Sequence, residues 1–228
     1  MPGPHHGGAD PPPPSHDSGG AGPPKKPPRR HVGAGDEFGS AADGQRAVAR
    51  TLAMGRPSAD DLELRRWEGT RDRLGAWPPK VSVGVNDVRY RPNNAHTDRD
   101  HGPTIPLRRD PGVKTIEGRI YGDDGWPRPA NGSFKWSDPS TMNRTVNDYV
   151  SRNWEKIRNN LAIAGEHEDV FDAGHRIGEG FVNRGMYGAG PRAAQYATTS
   201  VVRIVIHLVP GSDPPEPFIL TAFPTALG

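Results

Sequence analysis

The stretch "SDPSTMNRTVNDYVSRNWEKIRNNLAIAG" (residues 137–165) limits the possible folds of this chain more than any other segment. Met142, Val146, Tyr149, Val150, Trp154, Ile157 and Leu161 recur at the 3.6-residue period. Asp138 can accept hydrogen bonds from the first turn, Pro139 suits the first helical position, and Gly165 supplies a stop. This predicts one long helix with a single apolar face, and such a face has to be covered. Two apolar strands follow, "SVVRIVIHLV" and "FILTAFP", joined by "PGSDPPEP", which predicts an antiparallel hairpin. Strict alternation puts Val202, Ile204, Ile206 and Leu208 on one face of the first strand, with Arg203 and His207 on the other. In the second strand it groups Ile219, Thr221 and Phe223 against Phe218, Leu220 and Ala222. A helix followed by an apolar hairpin, with further short strands before it, reads as α+β with an antiparallel sheet and one long helix.

The rest of the chain divides by texture. With 29 Gly, 26 Pro and only 32% hydrophobic residues, part of it is expected to be disordered. Residues 1–38 form a Pro/Gly-rich linker, because too little apolar surface is present to offset the entropy of ordering. Residues 39–77 read as a short helical pair, with Ser40 and Ser58 as N-caps and Gly55 as a stop between the helices. Residues 78–228 form the main domain. Within it, "KVSVGV" and "GVKTIEGRIYG" are β-prone pieces, and "GHRIGEGFVNRGMYGAGPRAAQYATTS" reads as an ordered glycine-rich loop wrapped over the sheet.

The absence of cysteine removes disulfides, thiolate zinc sites and thiol catalysis together. No apolar run approaches the length of a transmembrane helix, and no signal peptide is visible, so export would follow a non-classical route. The formal charge is +2, and from Lys80 onward 18 Lys/Arg stand against 17 Asp/Glu. A nucleic-acid site here would therefore be a local cationic cleft and not a basic stripe.

Three groups of residues carry chemical potential. His96, Asp98, Asp100 and His101 crowd one predicted loop, "HTDRDH", but lack the helical His-x-x-x-His spacing that favours zinc, so no metal site is expected. The same histidines precede Arg108, Arg109 and Arg119. Cleaving an RNA phosphodiester without metal needs a base for the 2'-hydroxyl, an acid for the leaving oxygen and a cation for the charge on phosphorus, roles that imidazole and guanidinium can fill. Thr221 with Phe223, and His207 across the hairpin, form the third group.

The order "HTDRDHG", "GRI", "GSFKW" before the long helix and "ILTAFP" after it resembles the bacterial ribonuclease A-like toxin domain of contact-dependent growth inhibition proteins. In that family His-Thr-x-x-x-His-x-Gly is followed by Arg-Leu, by Ser-Phe before a helix, and by a closing Thr-Ala-Tyr-Pro or similar. The match spans about His96 to Pro224. It implies a small curved α+β domain, no cofactor, an RNA substrate cut to a cyclic phosphate, and a cognate immunity protein. The toxin would be secreted and delivered into a target-cell cytoplasm. It also implies catalytic roles for His101, Arg119 and Thr221; substrate contacts are expected from His96, Arg108 and Phe223.

Two departures stand out. The interval from His101 to Arg119 exceeds the family's spacing, which makes Arg108 or Arg109 alternatives, and Phe223 replaces a Tyr that could donate a proton. His207, on the neighbouring strand, is a candidate to take its place, with His101 and His207 as base and acid in either order; a second version keeps His101, Arg119 and Thr221 and leaves the acid to water or another residue. The competing readings are a non-catalytic RNA- or protein-binding module on the same scaffold, and a nuclease of another toxin family.

Overall fold

The computed structural model describes residues 45–46, 57–187 and 190–226. The expected linker at 1–38 and nearly all of the first helix of the pair lie outside them. A compact unit runs from Pro57 to Gly228. Helix α1 (Ala59–Leu74) opens on a reciprocal capping box: the Ser58 hydroxyl accepts from the Asp61 N–H while the Asp61 carboxylate accepts from the Ser58 N–H. No residue of α1 is buried, and Leu62 and Leu64 are exposed. Polar contacts tie it to the long helix, Arg71 donating to Asn159 and Glu155.

The long helix, α5 (Pro139–Ala164), has the expected limits. Asp138 accepts from the Thr141 N–H at 2.8 Å, and Gly165 closes it in the left-handed region at φ 75°. Before it come α2 (Val83–Arg89), α3 (Thr97–His101), α4 (Gly118–Tyr121) and strand β1 (Gly132–Trp136). After it come β2 (Glu166–Asp172), β3 (Gly178–Asn183), β4 (Ala194–Thr199), β5 (Val201–Leu208) and β6 (Pro217–Thr225). These strands make two antiparallel three-stranded sheets, ordered β1-β3-β4 and β2-β5-β6. The fold is α+β with one long helix, as the sequence predicts.

The apolar face of α5 packs Met142, Val146, Val150, Trp154, Ile157 and Leu161 against Val202, Ile204, Ile206, Ile219 and Ala222 of the hairpin. Trp136 joins this core and donates its indole N–H to the Ala222 carbonyl at 2.9 Å, tying the first sheet to the second. A smaller core of Ile105, Ile116, Ile120 and Trp126 covers Phe181 of the first sheet.

Four local expectations are corrected. "KVSVGV" runs into α2 and forms no strand, because side-chain amides take the place of a neighbouring strand. Asn147 both accepts from the Val81 N–H and donates to its carbonyl, and Asn143 accepts from Val83. "GVKTIEGRIYG" contains the short helix α4 and no strand. The glycine-rich "loop" contributes β3 and β4, in which Gly178 and Gly180 let backbones approach. A Cβ at Gly178 would collide with Pro224 of β6, and one at Gly180 with the Ser133 carbonyl of β1.

The fourth correction concerns β6. Val205 faces Thr221 and Ile206 faces Ile219, so Leu220 is an extra, bulged residue. The bulge breaks the alternation. Ile219 and Ala222 turn to the core against α5, while Phe218, Thr221 and Phe223 share the opposite face.

Candidate functional site

The free edge of β6 is covered by α2 and α3 through side-chain and backbone pairing. Asn86 behaves as a surrogate strand residue, accepting from the Ile219 N–H at 3.0 Å and donating to the Ile219 carbonyl at 2.7 Å. On either side of Thr221, the His96 N–H donates to the Leu220 carbonyl at 3.1 Å and the Thr97 hydroxyl accepts from the Ala222 N–H at 2.9 Å. Asp87 accepts from the Asp98 N–H at 2.6 Å and so satisfies the first turn of α3. The segment read from sequence as a loop is thus a helical turn docked on β6. Three of its four candidate metal-ligating side chains disperse: His96 to the Asn94 carbonyl, Asp100 to Lys114 and Arg99, and His101 to Phe134. Among the described residues no group of three or more His, Asp or Glu side chains is placed to hold a metal.

One turn beyond Thr97, the His101 ring stacks on Phe223 with centroids 4.4 Å apart and planes 13° from parallel. Its Nδ1 lies 3.0 Å from the main-chain carbonyl of Phe134 in β1. A carbonyl only accepts, so Nδ1 carries the proton and Nε2 is left with the lone pair. His101 is 5% exposed. Burial pushes its imidazolium down to about 3; the nearby Arg119 charge acts in the same direction, opposed by the hydrogen bond to Phe134 and the Asp100 carboxylate. His101 is therefore a neutral base of fixed tautomer at neutral pH.

Arg119, on α4, is half-buried with its guanidinium over the Trp126 ring at 4.6 Å. That ring is held by its N–H to the Thr115 carbonyl at 2.8 Å. Burial lowers the Arg119 pKa, and Asp100 opposes the shift. The guanidinium makes no hydrogen bond or ion pair among the described residues. Arg109, the alternative suggested by spacing, is already engaged by Asp123 at 2.7 and 2.8 Å. Arg108 lies over Phe181 and Tyr196, at 5.2 and 5.9 Å from their centroids, with Glu117 4.0 Å away. No contact joins it to His101.

Thr221 Oγ1 is buried and has no hydrogen-bond partner. Such groups are rare in folded proteins and costly, on the order of 1–3 kcal/mol each, so each calls for a reason. The structure thus gathers His101, Phe223, Thr221 and His96 along one face and edge of β6, with the Arg119 charge near enough to bear on His101.

His207 is not brought to this group, which corrects the expected pairing of His101 with His207. His207 faces Phe218, lies edge-on to its ring, and approaches Glu166 at 3.6 Å. The ring stacked on His101 belongs to Phe223, whose partner is Arg203. Four residues of strand separate Arg203 from His207, roughly 13 Å. The Leu220 bulge also shifts Thr221 to pair with Val205 and not with the end of β5 near His207.

Sequence reasoning missed the Phe134 carbonyl that orients His101, the Trp126 ring beneath Arg119, and the role of Thr97 in pinning α3. Thr97 and Phe134 lay within quoted motifs, "HTDRDHG" and "GSFKW", but the contribution of Phe134 is a main-chain atom with no residue-type signal, and that of Thr97 depends on a strand more than a hundred residues away.

Among the described residues no helix is long and apolar enough to cross a membrane. No family model matches the sequence, and no curated protein matches it. This chain is similar to a chain of the CdiA-CT/CdiI complex from Y. kristensenii, at 18% identity and a TM-score of 0.34, over 42% of this chain and 80% of that one.

Proposed function

We propose that this chain is an endoribonuclease toxin that cleaves RNA without a metal, by attack of the 2'-hydroxyl to leave a 2',3'-cyclic phosphate. The observation that carries the reading is His101: a buried imidazole of fixed tautomer, free at Nε2, grouped with a buried hydroxyl that has no partner and near an unpaired guanidinium. In the reaction His101 Nε2 takes the 2'-hydroxyl proton as O2' attacks phosphorus. Arg119 and the Thr221 hydroxyl stabilise the charge that builds on the phosphoryl oxygens. Phe223 supplies the surface on which the His101 ring lies and has no proton to give. The toxin role and the cognate immunity protein rest on the order of the motifs from "HTDRDHG" to "ILTAFP". The replacement of the family Tyr by Phe223 favours a second reading, a non-catalytic RNA-binding module on the same scaffold.

The test is the full chain incubated with RNA in EDTA. The expected result is endonucleolytic cleavage to cyclic-phosphate ends, together with growth arrest on expression in a bacterial host that the neighbouring open reading frame relieves. Cleavage only with added divalent metal would point to another nuclease family, and no cleavage to the binding module.

Thr221→Val separates a catalytic hydroxyl from a structural one. Removing a buried hydroxyl that has no partner leaves thermal stability equal or raised. Losing one phosphate donor lowers the cleavage rate by about 100-fold to 1,000-fold. A fall in stability with unchanged cleavage would assign Thr221 to packing.

A further inference from the structure

With His207 displaced, the proposed reaction lacks a donor for the leaving oxygen. We propose that His96 is the general acid, the second imidazole of the site, and that it protonates O5' as the P–O5' bond breaks. This rests on the ribonuclease reading above and adds a catalytic residue to it.

His96 precedes α3, and its main-chain N–H bonds to the Leu220 carbonyl immediately before Thr221. His101 ends the same helix. Five residues of helical rise place their Cα atoms roughly 8 Å apart along its axis, and in the proposed reaction the two imidazoles flank one phosphodiester. A charge on His96 is felt at His101. The His96 Nδ1 lies 2.7 Å from the Asn94 carbonyl. It therefore carries a proton for the same reason as Nδ1 of His101, and its Nε2 is the nitrogen free to act. Asn94 offers that carbonyl from the left-handed region at φ 66°, a conformation Asn tolerates better than most residues.

The surroundings of the two rings divide the labour. His101 lies under Phe223 with Nδ1–H on the Phe134 carbonyl, so its Nε2 lone pair is available at neutral pH. His96 is partly exposed, so its Nε2 is open to water and to a leaving oxygen while Nδ1–H stays on Asn94. The step balances. The 2'-hydroxyl proton goes to His101, O2' bonds to phosphorus, the P–O5' bond breaks, and O5' takes the proton from His96. The products are a 2',3'-cyclic phosphate and a free 5'-hydroxyl. Exchange of a proton with water then resets both rings.

Two substrates that differ only in the leaving group test this assignment: an RNA dinucleotide, whose alkoxide must be protonated, and a nucleoside 3'-(4-nitrophenyl phosphate), whose phenolate leaves without a proton. For His96→Ala the expected result is a loss of about 100-fold to 10,000-fold on RNA with the activated ester cleaved at close to the parent rate. His101→Ala is expected to lose both. Equal losses of His96→Ala on both substrates, or no loss on RNA, overturn the assignment while leaving the ribonuclease reading intact. A parent protein that cleaves neither substrate overturns both. His96→Gln and thermal unfolding of each variant separate chemistry from folding, since a misfolded variant loses both substrates together whereas a missing acid loses only RNA.

Discussion

Replacing His101 by alanine is expected to lower RNA cleavage by about 100-fold to 10,000-fold, the range for removing a positioned base. Neither Arg119 nor Thr221 can accept the 2'-hydroxyl proton in its place. The measurement is single-turnover cleavage of a short RNA, with circular dichroism confirming the fold, and parent-level cleavage by the variant would end the assignment.

The pH profile offers a second reading of the same residue. Burial holds His101 down to about 3, against about 6.5 in the unfolded chain. The kcat/KM of the free enzyme should therefore show no limb near 6.5 from this base. Folding is linked in the opposite sense to a histidine that gains a charged partner. The unfolded chain binds the proton more readily, so the stability His101 contributes is complete above about 6.5 and is lost as pH falls toward about 3. His167 behaves alike: burial depresses it, and it is satisfied as a neutral ring by Tyr149 at 2.7 Å and Asn160 at 3.0 Å. Urea denaturation between pH 7 and 4 should show the midpoint falling. A midpoint that rises on acidification would contradict the buried neutral state of both rings.

Ending the chain before Phe218 is expected to abolish cooperative folding altogether. The deletion removes β6, and with it Phe218, Ile219 and Ala222 from the interior. Burying a large apolar side chain contributes about 1.5–3 kcal/mol, so the two largest of these alone approach the 5–15 kcal/mol that holds a typical domain. The loss does not stop there. Asn86, Thr97 and the Trp136 indole each lose a buried main-chain partner on β6, and the faces of Val202, Ile204 and Ile206 open to water. A truncated protein that still unfolds in one sharp thermal transition would show that β6 is dispensable to the core.

The elements that could be read in advance have long, unbroken patterns. Helix α5 repeats its apolar face over seven turns between a capping Asp138 and a terminating Gly165. The β5–β6 hairpin is apolar enough that few other structures could bury it. The elements misread are short. Five residues of "TDRDH" cannot display a helical period, and "KVSV" looks like a strand although α5 amides satisfy its backbone. In β3, glycines that argue against a strand in isolation are what its neighbours' close approach demands.

The candidate site divides in the same way. Residue types and motif order singled out His101, Arg119 and Thr221, because imidazole, guanidinium and hydroxyl are the groups that phosphodiester chemistry uses. Sequence could not place His96 and His207 relative to Thr221. That turned on a one-residue bulge at Leu220 and on the docking of α3 against β6, which draw His96 toward Thr221 and leave His207 at the far end of the hairpin. The amino-acid order determined which chemistry the chain can perform and which segments must be buried. Tertiary structure decided which of the candidate histidines lies beside Thr221 and which lies at the other end of the hairpin, because register, bulges and main-chain partners arise from contacts between segments far apart along the chain and leave no trace in local pattern.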